Sequence, residues 1–397
     1  MTDQLTSEKT PAGTTAPAPR TRRAGRAPRG RPQFYTAYAA DQALLNTGGK
    51  RLWTGLLLLA AVIAPFALSR DVTNLLTLSL IYAIGAIGLN LVTGYAGQVS
   101  LGHAFFVGLG TFTAAVLGGS PTSSLRGYEL EMWIWLPMAG IVAGAVGFIV
   151  APLAARVRGL YLAILTLGLI FIGEHLFKEL RSFTGGPGVG RRAAAPIVGG
   201  FNFRDSHTIL GIDLSGRQTY YLFVLVILVI MAVAARNLAR SKVGRAFAAV
   251  RDRDIAAEVM GVALTRTKVL AFTVSSFYAG ICGALLGVLF GQPTPENFNL
   301  NLSVIFLAMI LVGGVATISG SIIGALVIGL LPRFVQELAD IAPFISRGRT
   351  GGLLTVDQVE GIFFGVLIVG FLLLEPRGMF GLWIRVRNYW KAFPFSY

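Results

Sequence analysis

A chain of 397 residues that is 54% hydrophobic, 13% charged and of mean hydropathy +0.67 has too little polar surface to cover a water-facing globule. Soluble domains carry about 25% charged residues, so a soluble enzyme or soluble binding module is excluded. The formal charge of +15 then reads as a topology signal, and the single cysteine, Cys282, leaves no intrachain disulfide.

Residues 1–51 come first and differ in kind. They are rich in Thr, Ala, Pro and Arg, cluster Arg20, Arg22, Arg23, Arg26, Arg29 and Arg31, and show no apolar period. Such a segment cannot bury a core. A disordered basic tail is expected, contacting anionic lipid and not nucleic acid. The first apolar run starts at Leu52 and no small-residue cleavage pattern follows it, so no cleavable signal is expected.

From residue 52 onward, apolar stretches recur at about the length that crosses a bilayer core as a helix. The expected fold is all-α, a polytopic membrane protein of about ten spans. These fall near 52–69, 73–93, 98–118, 133–155, 159–177, 219–236, 269–291, 302–318, 320–338 and 356–375. The fifth ends on Glu174, His175 and Lys178, which reach the interface. The membrane domain is placed at 52–385, with a long connection at 236–268 and a C-terminal tail at 386–397. Lysine and arginine stay on the cytoplasmic side of a membrane. With the N-terminus inside, nine basic residues precede the first span, two (Arg156, Arg158) follow the fourth, eight lie between Arg236 and Lys268, and four follow the last; eleven fall on the other side. Both termini are therefore expected in the cytoplasm of a cell-membrane protein.

Catalytic constellations are missing. His103, His175 and His207 are scattered and none stands in a metal-ligand spacing. There is no Gly-x-Ser-x-Gly elbow. Gly49-Lys50-Arg51 lacks both the earlier glycine and the Ser/Thr of a phosphate loop. No metal, cofactor or ATP hydrolysis by this chain is expected. Glu174, Glu337 and Glu360 all fall near span ends, whereas ion-coupled carriers keep ionisable groups at mid-membrane depth.

Broken, glycine-rich spans are what remain. GLNLVTGYAGQVSLGHAFFVGLG, residues 88–110, sets Asn90, Gln98, Ser100 and His103 among Gly88, Gly94, Gly97, Gly102, Gly108 and Gly110. A second interrupted stretch is LVGGVATISGSIIGALVIGLLP, residues 311–332, with Gly313 and Gly314 adjacent. Glycine weakens a helix, and irregular backbone at membrane depth is tolerated where protein covers it or where it lines a wet cavity. The four polar side chains offer either interhelical hydrogen bonds or uncharged contacts to a passing zwitterion. A solute path is expected along Asn90, Gly94, Gly97, Gln98, Ser100, Gly102, His103, Gly313 and Gly314. Four further glycine pairs, Gly140/Gly144, Gly283/Gly287, Gly320/Gly324 and Gly361/Gly365, have the spacing that lets helices approach closely.

SKVGRAFAAVRDRDIAAEVMGVALTRTK, residues 241–268, lies in the longest connection between spans on the expected cytoplasmic side. Ile255, Val259 and Val262 fall at helical spacing while Asp252, Asp254 and Glu258 point elsewhere, and Gly261 is placed to end the helix. A merely solvated loop has no need of an apolar stripe, so a docked partner protein is expected there.

The stretches Gly244-Arg245-Ala246-Phe247, Ala249-Val250-Arg251-Asp252 and Ile255-Ala256-Ala257-Glu258-Val259-Met260-Gly261 resemble the coupling loop of ABC-importer permeases. More narrowly, the chain is similar to branched-chain amino-acid permeases of the LivM type. The same likeness runs through Gly88-Leu89-Asn90-Leu91, Thr93-Gly94-Tyr95-Ala96-Gly97-Gln98, Ser100-Leu101-Gly102-His103 and Gly159-Leu160-Tyr161-Leu162-Ala163. It continues in Thr184-Gly185-Gly186-Pro187-Gly188 and Glu375-Pro376-Arg377-Gly378. The resemblance implies a permease half that pairs with a second homologous permease, with two cytoplasmic ATP-binding subunits and an extracytoplasmic substrate-binding protein. It implies ATPase coupling through Gly244, Arg245, Arg251, Asp252, Ile255, Ala256, Ala257, Glu258, Val259 and Gly261. Urea and short-amide permeases share much of the pattern, which leaves the solute open, and an ion-coupled carrier acting alone stands as the other reading.

Overall fold

The computed structural model describes residues 48–121, 125–157, 159–209, 212–341, 345–346, 354–375 and 377–392. The expectation of disorder in the basic tail falls almost wholly outside these residues. Helix α1 is Gly48–Ala67 and α2 is Arg70–Leu89, prolonged by a π-helical segment, Asn90–Tyr95. There follow α3 (His103–Gly118), α4 (Met132–Arg156), α5 (Leu160–Glu179) and α6 (Gly216–Arg240). Two short helices, α7 (Lys242–Asp252) and α8 (Asp254–Val259), lead to α9 (Leu264–Phe290), α10 (Leu300–Gly313), α11 (Ile318–Ile341), α12 (Val356–Leu374) and α13 (Gly378–Ala392). Among the described residues, strands form three two-stranded pairs of two or three residues each, so helices carry the architecture.

Among the described residues, seven helices are long and apolar enough to cross a membrane, or eight if the α12–α13 pair, bent by 48°, counts as one span. The expectation of ten differs at two places. The apolar helices Arg51–Ala67 and His103–Gly118 are shorter than the seven, of which the one ending in α10 is counted from Pro295. The second begins five residues later than the predicted 98 because Ala96–Gly102 is irregular: Gly97 adopts φ +70° and turns the chain out of helical geometry. α13 runs across the 385–386 boundary, so residues 386–392 are helical.

Contacts group Gly55–Tyr397 as one compact unit. α2 and α9 are its centre: in their most apolar stretches 78% and 72% of residues are buried, against 33% and 28% in α5 and α6. The outward faces carry Phe148, Ile149, Tyr161, Phe171, Ile172, Val226 and Ile230, all exposed. That pattern would be costly in water and is neutral in hydrocarbon, where close packing and not apolar burial holds helices together.

Glycines supply that packing. A Cβ on Gly110 would lie 2.5 Å from Gly280 Cα, and one on Gly283 would overlap the Val107 carbonyl. Thr111 Oγ1 donates to the Gly283 carbonyl at 2.6 Å, across the same α3–α9 seam. Gly140 meets Phe277, Gly320 meets the 313–317 turn, and Gly324 meets the Met309 carbonyl. Gly361 and Gly365 behave differently: a Cβ at either position would meet no atom of the described residues within 4 Å. Gly283→Ala should therefore force α3 from α9 at a cost of about 1–3 kcal/mol, whereas Gly365→Ala should leave the chain's thermal unfolding in detergent unchanged.

Outside the spans, Thr184 closes the Gly185–Gly188 turn by donating to the Phe177 carbonyl at 2.7 Å, and Gly185, Gly186 and Gly188 all take positive φ. Buried Arg191 donates to the carbonyls of Phe183 and Arg126, and burial pushes its guanidinium below the usual arginine value.

Candidate functional site

α2 loses its regular ladder at Asn90. The π turn holds one extra residue, a geometry that concentrates at functional positions. Beyond it, Ala96 N donates to the Leu91 carbonyl at 3.2 Å and Gln98 N to the Val92 carbonyl at 2.9 Å. Thr93 Oγ1 closes the loop by donating to the Gln98 carbonyl at 3.1 Å. The chain re-enters helix at His103, and the free N–H groups of that new N-terminus find side-chain acceptors from other helices. Leu101 N donates to Thr166 Oγ1 of α5 at 3.0 Å and Ala104 N to Ser303 Oγ of α10 at 2.9 Å.

A second break lies between α10 and α11. Gly314 has φ +132° and Ala316 φ +59°, a left-handed conformation that a non-glycine residue adopts only under constraint. The constraint is Asn90. Its Nδ2 donates to the Thr317 carbonyl at 2.9 Å and to Ser321 Oγ at 2.7 Å, with the Gly314 carbonyl more distant at 3.3 Å. Its Oδ1 accepts from Ala316 N at 2.8 Å. One buried amide thus binds both breaks together.

Gly94 and Gly313 permit this closeness. A Cβ on Gly94 would overlap Asn90 Oδ1 and sit 2.5 Å from Ala316 N, and one on Gly313 would overlap the Gly320 carbonyl. The α12–α13 turn seals the other side, since Gly378, at φ +64°, would place a Cβ 2.7 Å from Gly314 N. Glu375, beside it, is buried and ion-paired with Arg385.

The nine residues expected along a path therefore divide by what their atoms do. Asn90, Gly94, Gly313 and Gly314 form the junction. Ser100 accepts from Gly102 N at 3.3 Å, and Gly102 packs with its Cβ position 3.1 Å from the Thr166 carbonyl. Gly97 lies against Arg251 of α7, where a Cβ would be 3.1 Å from Arg251 Cα. Only Gln98 and His103 keep spare chemistry. Both are buried, yet the two polar side-chain atoms of Gln98 and Nε2 of His103 have no hydrogen-bond partner among the described residues. The His103 ring stands edge-to-face on Phe306, 5.0 Å between centroids.

α7 and α8 fill the connection between α6 and α9. Ser241 caps α7 by accepting from Val243 N and Gly244 N, and Phe247 and Val250 bury its inner face. Gly244 is required there, because a Cβ would overlap the Ala239 carbonyl at the end of α6, and Arg245 donates to the Arg240 carbonyl at 3.2 Å. α8 has only Ala257 buried; Ala256 and Glu258 are exposed, and Gly261, at φ +85°, closes the helix by donating to the Glu258 carbonyl at 2.9 Å. Ile255 is 67% exposed, Val259 83% and Met260 85%. The predicted stripe is corrected in one member: Val262 lies past the turn at Gly261 and is half-buried, while Met260, at the end of the helix, is exposed. Asp252 pairs with Arg251 at 3.2 Å.

Sequence reasoning missed Thr317 and Ser321, although their i,i+4 hydroxyls stand within the second interrupted stretch. It also missed Ser303 and Thr166, which no local pattern distinguishes from ordinary polar residues in a helix.

Comparison with known proteins agrees with this geometry. The family described as branched-chain amino acid transport system / permease component matches residues 72–373, which include both breaks together with α7 and α8. The high-affinity branched-chain amino acid transport system permease protein LivM of Salmonella typhimurium is 33% identical over 346 residues, 84% of this chain and 76% of that protein. LivM of Escherichia coli K12 matches at the same identity and coverage. The LivH permease protein of that E. coli strain is 25% identical over 316 residues, 78% of this chain and 94% of its own. No solved structure is significantly similar to the chain. Matched over most of its length by that family and by relatives named as permease proteins, this multi-pass helical chain is a transport permease: it belongs to the branched-chain amino acid transport system permease family.

Proposed function

We propose that this chain forms half of the membrane path of an importer for branched-chain amino acids in the cell (inner) membrane. The other half is a second homologous permease, two cytoplasmic ATP-binding subunits dock on the α7–α8 segment, and an extracytoplasmic binding protein delivers the solute. In this arrangement α1 and α3 also lie in the bilayer, bringing the spans to ten, and both termini are cytoplasmic, which puts the basic connection Arg236–Lys268 inside. The observation that carries the reading is the exposed apolar triad Ile255, Val259 and Met260 on a helix that contributes only Ala257 to its own core. A stripe of that kind needs a partner.

Gln98 and His103 are the groups we assign to the solute. An unpaired polar group in a dry interior costs about 1–3 kcal/mol, and such a cost is retained where the group serves a ligand. Neither is a permanently charged side chain, which suits weak, passing contacts to a zwitterion, and selection among solutes falls to the binding protein. Gln98→Leu keeps the volume and removes both orphaned atoms. The expected result is a chain at least as resistant to thermal unfolding in detergent as the parent, whose assembly takes up several-fold less leucine. Undiminished uptake by the Gln98→Leu assembly would move the path elsewhere.

A further inference from the structure

Arg251 occupies the last turn of α7, eight positions before Val259, and it does not face the same way as the exposed triad. Its Nη1 donates to the Gly94 carbonyl at 3.0 Å, inside the π segment of α2. Its stem lies on Gly97, where a Cβ would come within 2.8 Å of Arg251 Cγ. Asp252 Oδ1 accepts from Nε at 3.2 Å and holds the guanidinium in that pose. Gly94 abuts Asn90, and Asn90 binds Ala316, Thr317 and Ser321 of the second break. α7 is anchored by buried Phe247 and Val250, and α8 joins it through the single extended residue Arg253, φ −154° and ψ 101°. α8 is thus joined to α7 by the chain and its backbone bonds at Arg253, and from Arg251 a series of contacts runs to both broken spans.

We propose that Arg251 is a positioning residue of the transport cycle, transmitting displacement of the α7–α8 segment to the π segment and through Asn90 to the α10–α11 break. The proposal rests on the reading that α8 docks an ATPase.

The test uses the whole assembly in liposomes, with radiolabelled leucine as probe, and reads leucine taken up per ATP hydrolysed. Arg251→Met keeps the aliphatic stem against Gly97 and removes the donor; Arg251→Lys restores a charged donor. The Met variant is expected to retain its ATPase on co-purification and to hydrolyse ATP, while the ratio falls ten-fold or more. The Lys variant is expected to recover at least half of the parent ratio. A residue that only supported folding would lower the amount of assembly and leave the ratio intact, so an unchanged ratio in Arg251→Met overturns the proposal. So does a Lys variant as impaired as the Met variant, or loss of the ATPase from Arg251→Met, which would place Arg251 in the docking face. Should the Met variant not assemble, Arg251→Gln replaces it and the same ratio decides: lowered with the ATPase retained, it supports the link, and unchanged, it overturns it. Failure of the docking reading itself shows separately, as full ATPase retention and uptake in Ile255→Asp with Arg251 intact.

Discussion

Ile255→Asp is expected to strip the ATP-binding subunit from the assembly while the permease still inserts. Ile255 is exposed in this chain, so its replacement removes little from the chain's own fold. In a docked complex, burying Ile255 or Val259 contributes about 1.5–3 kcal/mol each. The aspartate loses that gain and adds a carboxylate that must be desolvated or left facing an apolar cleft. Because about 1.4 kcal/mol is ten-fold in an equilibrium, co-purification of tagged ATPase should fall at least ten-fold, and ATP-driven uptake with it. Rim charges such as Arg251, Asp252 and Glu258 count for less, since peripheral contacts contribute little to most interfaces. Gly261→Val should be milder than Ile255→Asp. Its φ of +85° is disfavoured for a β-branched residue, which loosens the end of α8 without removing the apolar face. Full ATPase retention in Ile255→Asp would return the segment to a solvated loop.

Asn90→Leu is expected to have the largest effect on the fold. The change leaves Ala316 N without its partner and removes one donor each from the Thr317 carbonyl and Ser321 Oγ, which still bond to one another. A donor left unpaired where water is excluded costs about 1–3 kcal/mol, which is a sizeable share of the roughly 5–15 kcal/mol that holds a typical domain. The strained φ of Ala316 would lose the bond that sustains it. Thermal unfolding of the purified chain in detergent should shift downward strongly, with more of the variant lost during extraction. An Asn90→Leu chain as stable as the parent would show that the junction is not held by this amide.

Hydropathy made most spans legible, because a helix in lipid must be long and apolar whatever it packs against. It misplaced the start of α3, since Val99, Ser100 and Leu101 have ordinary hydropathy and the positive φ of Gly97 is a property of the folded backbone. The same limit governed the glycines. Gly283/Gly287 and Gly361/Gly365 have identical spacing, yet only the first pair meets another helix among the described residues. The polar residues of the first break were found as a group, but not their roles. Whether a buried amide is free or bound depends on what the fold brings to it, and the partners of Asn90 lie more than 220 positions away in the chain. For α8, the spacing of Ile255 and Val259 sufficed, because an exposed face needs no long-range information. Arg251 stood out in the sequence only as one member of the coupling segment; its contact with Gly94 and Gly97 is visible only in the fold.

The central claim is that ATP hydrolysed by partner subunits drives solute through this chain and a second permease. Its most direct test is leucine uptake into liposomes holding the complete assembly, with all ion gradients collapsed. Accumulation above the external concentration that requires ATP and the binding protein, and that vanishes when any subunit is omitted, is the predicted result. Accumulation of leucine by this chain alone, driven by an imposed proton or sodium gradient without ATP, would contradict it.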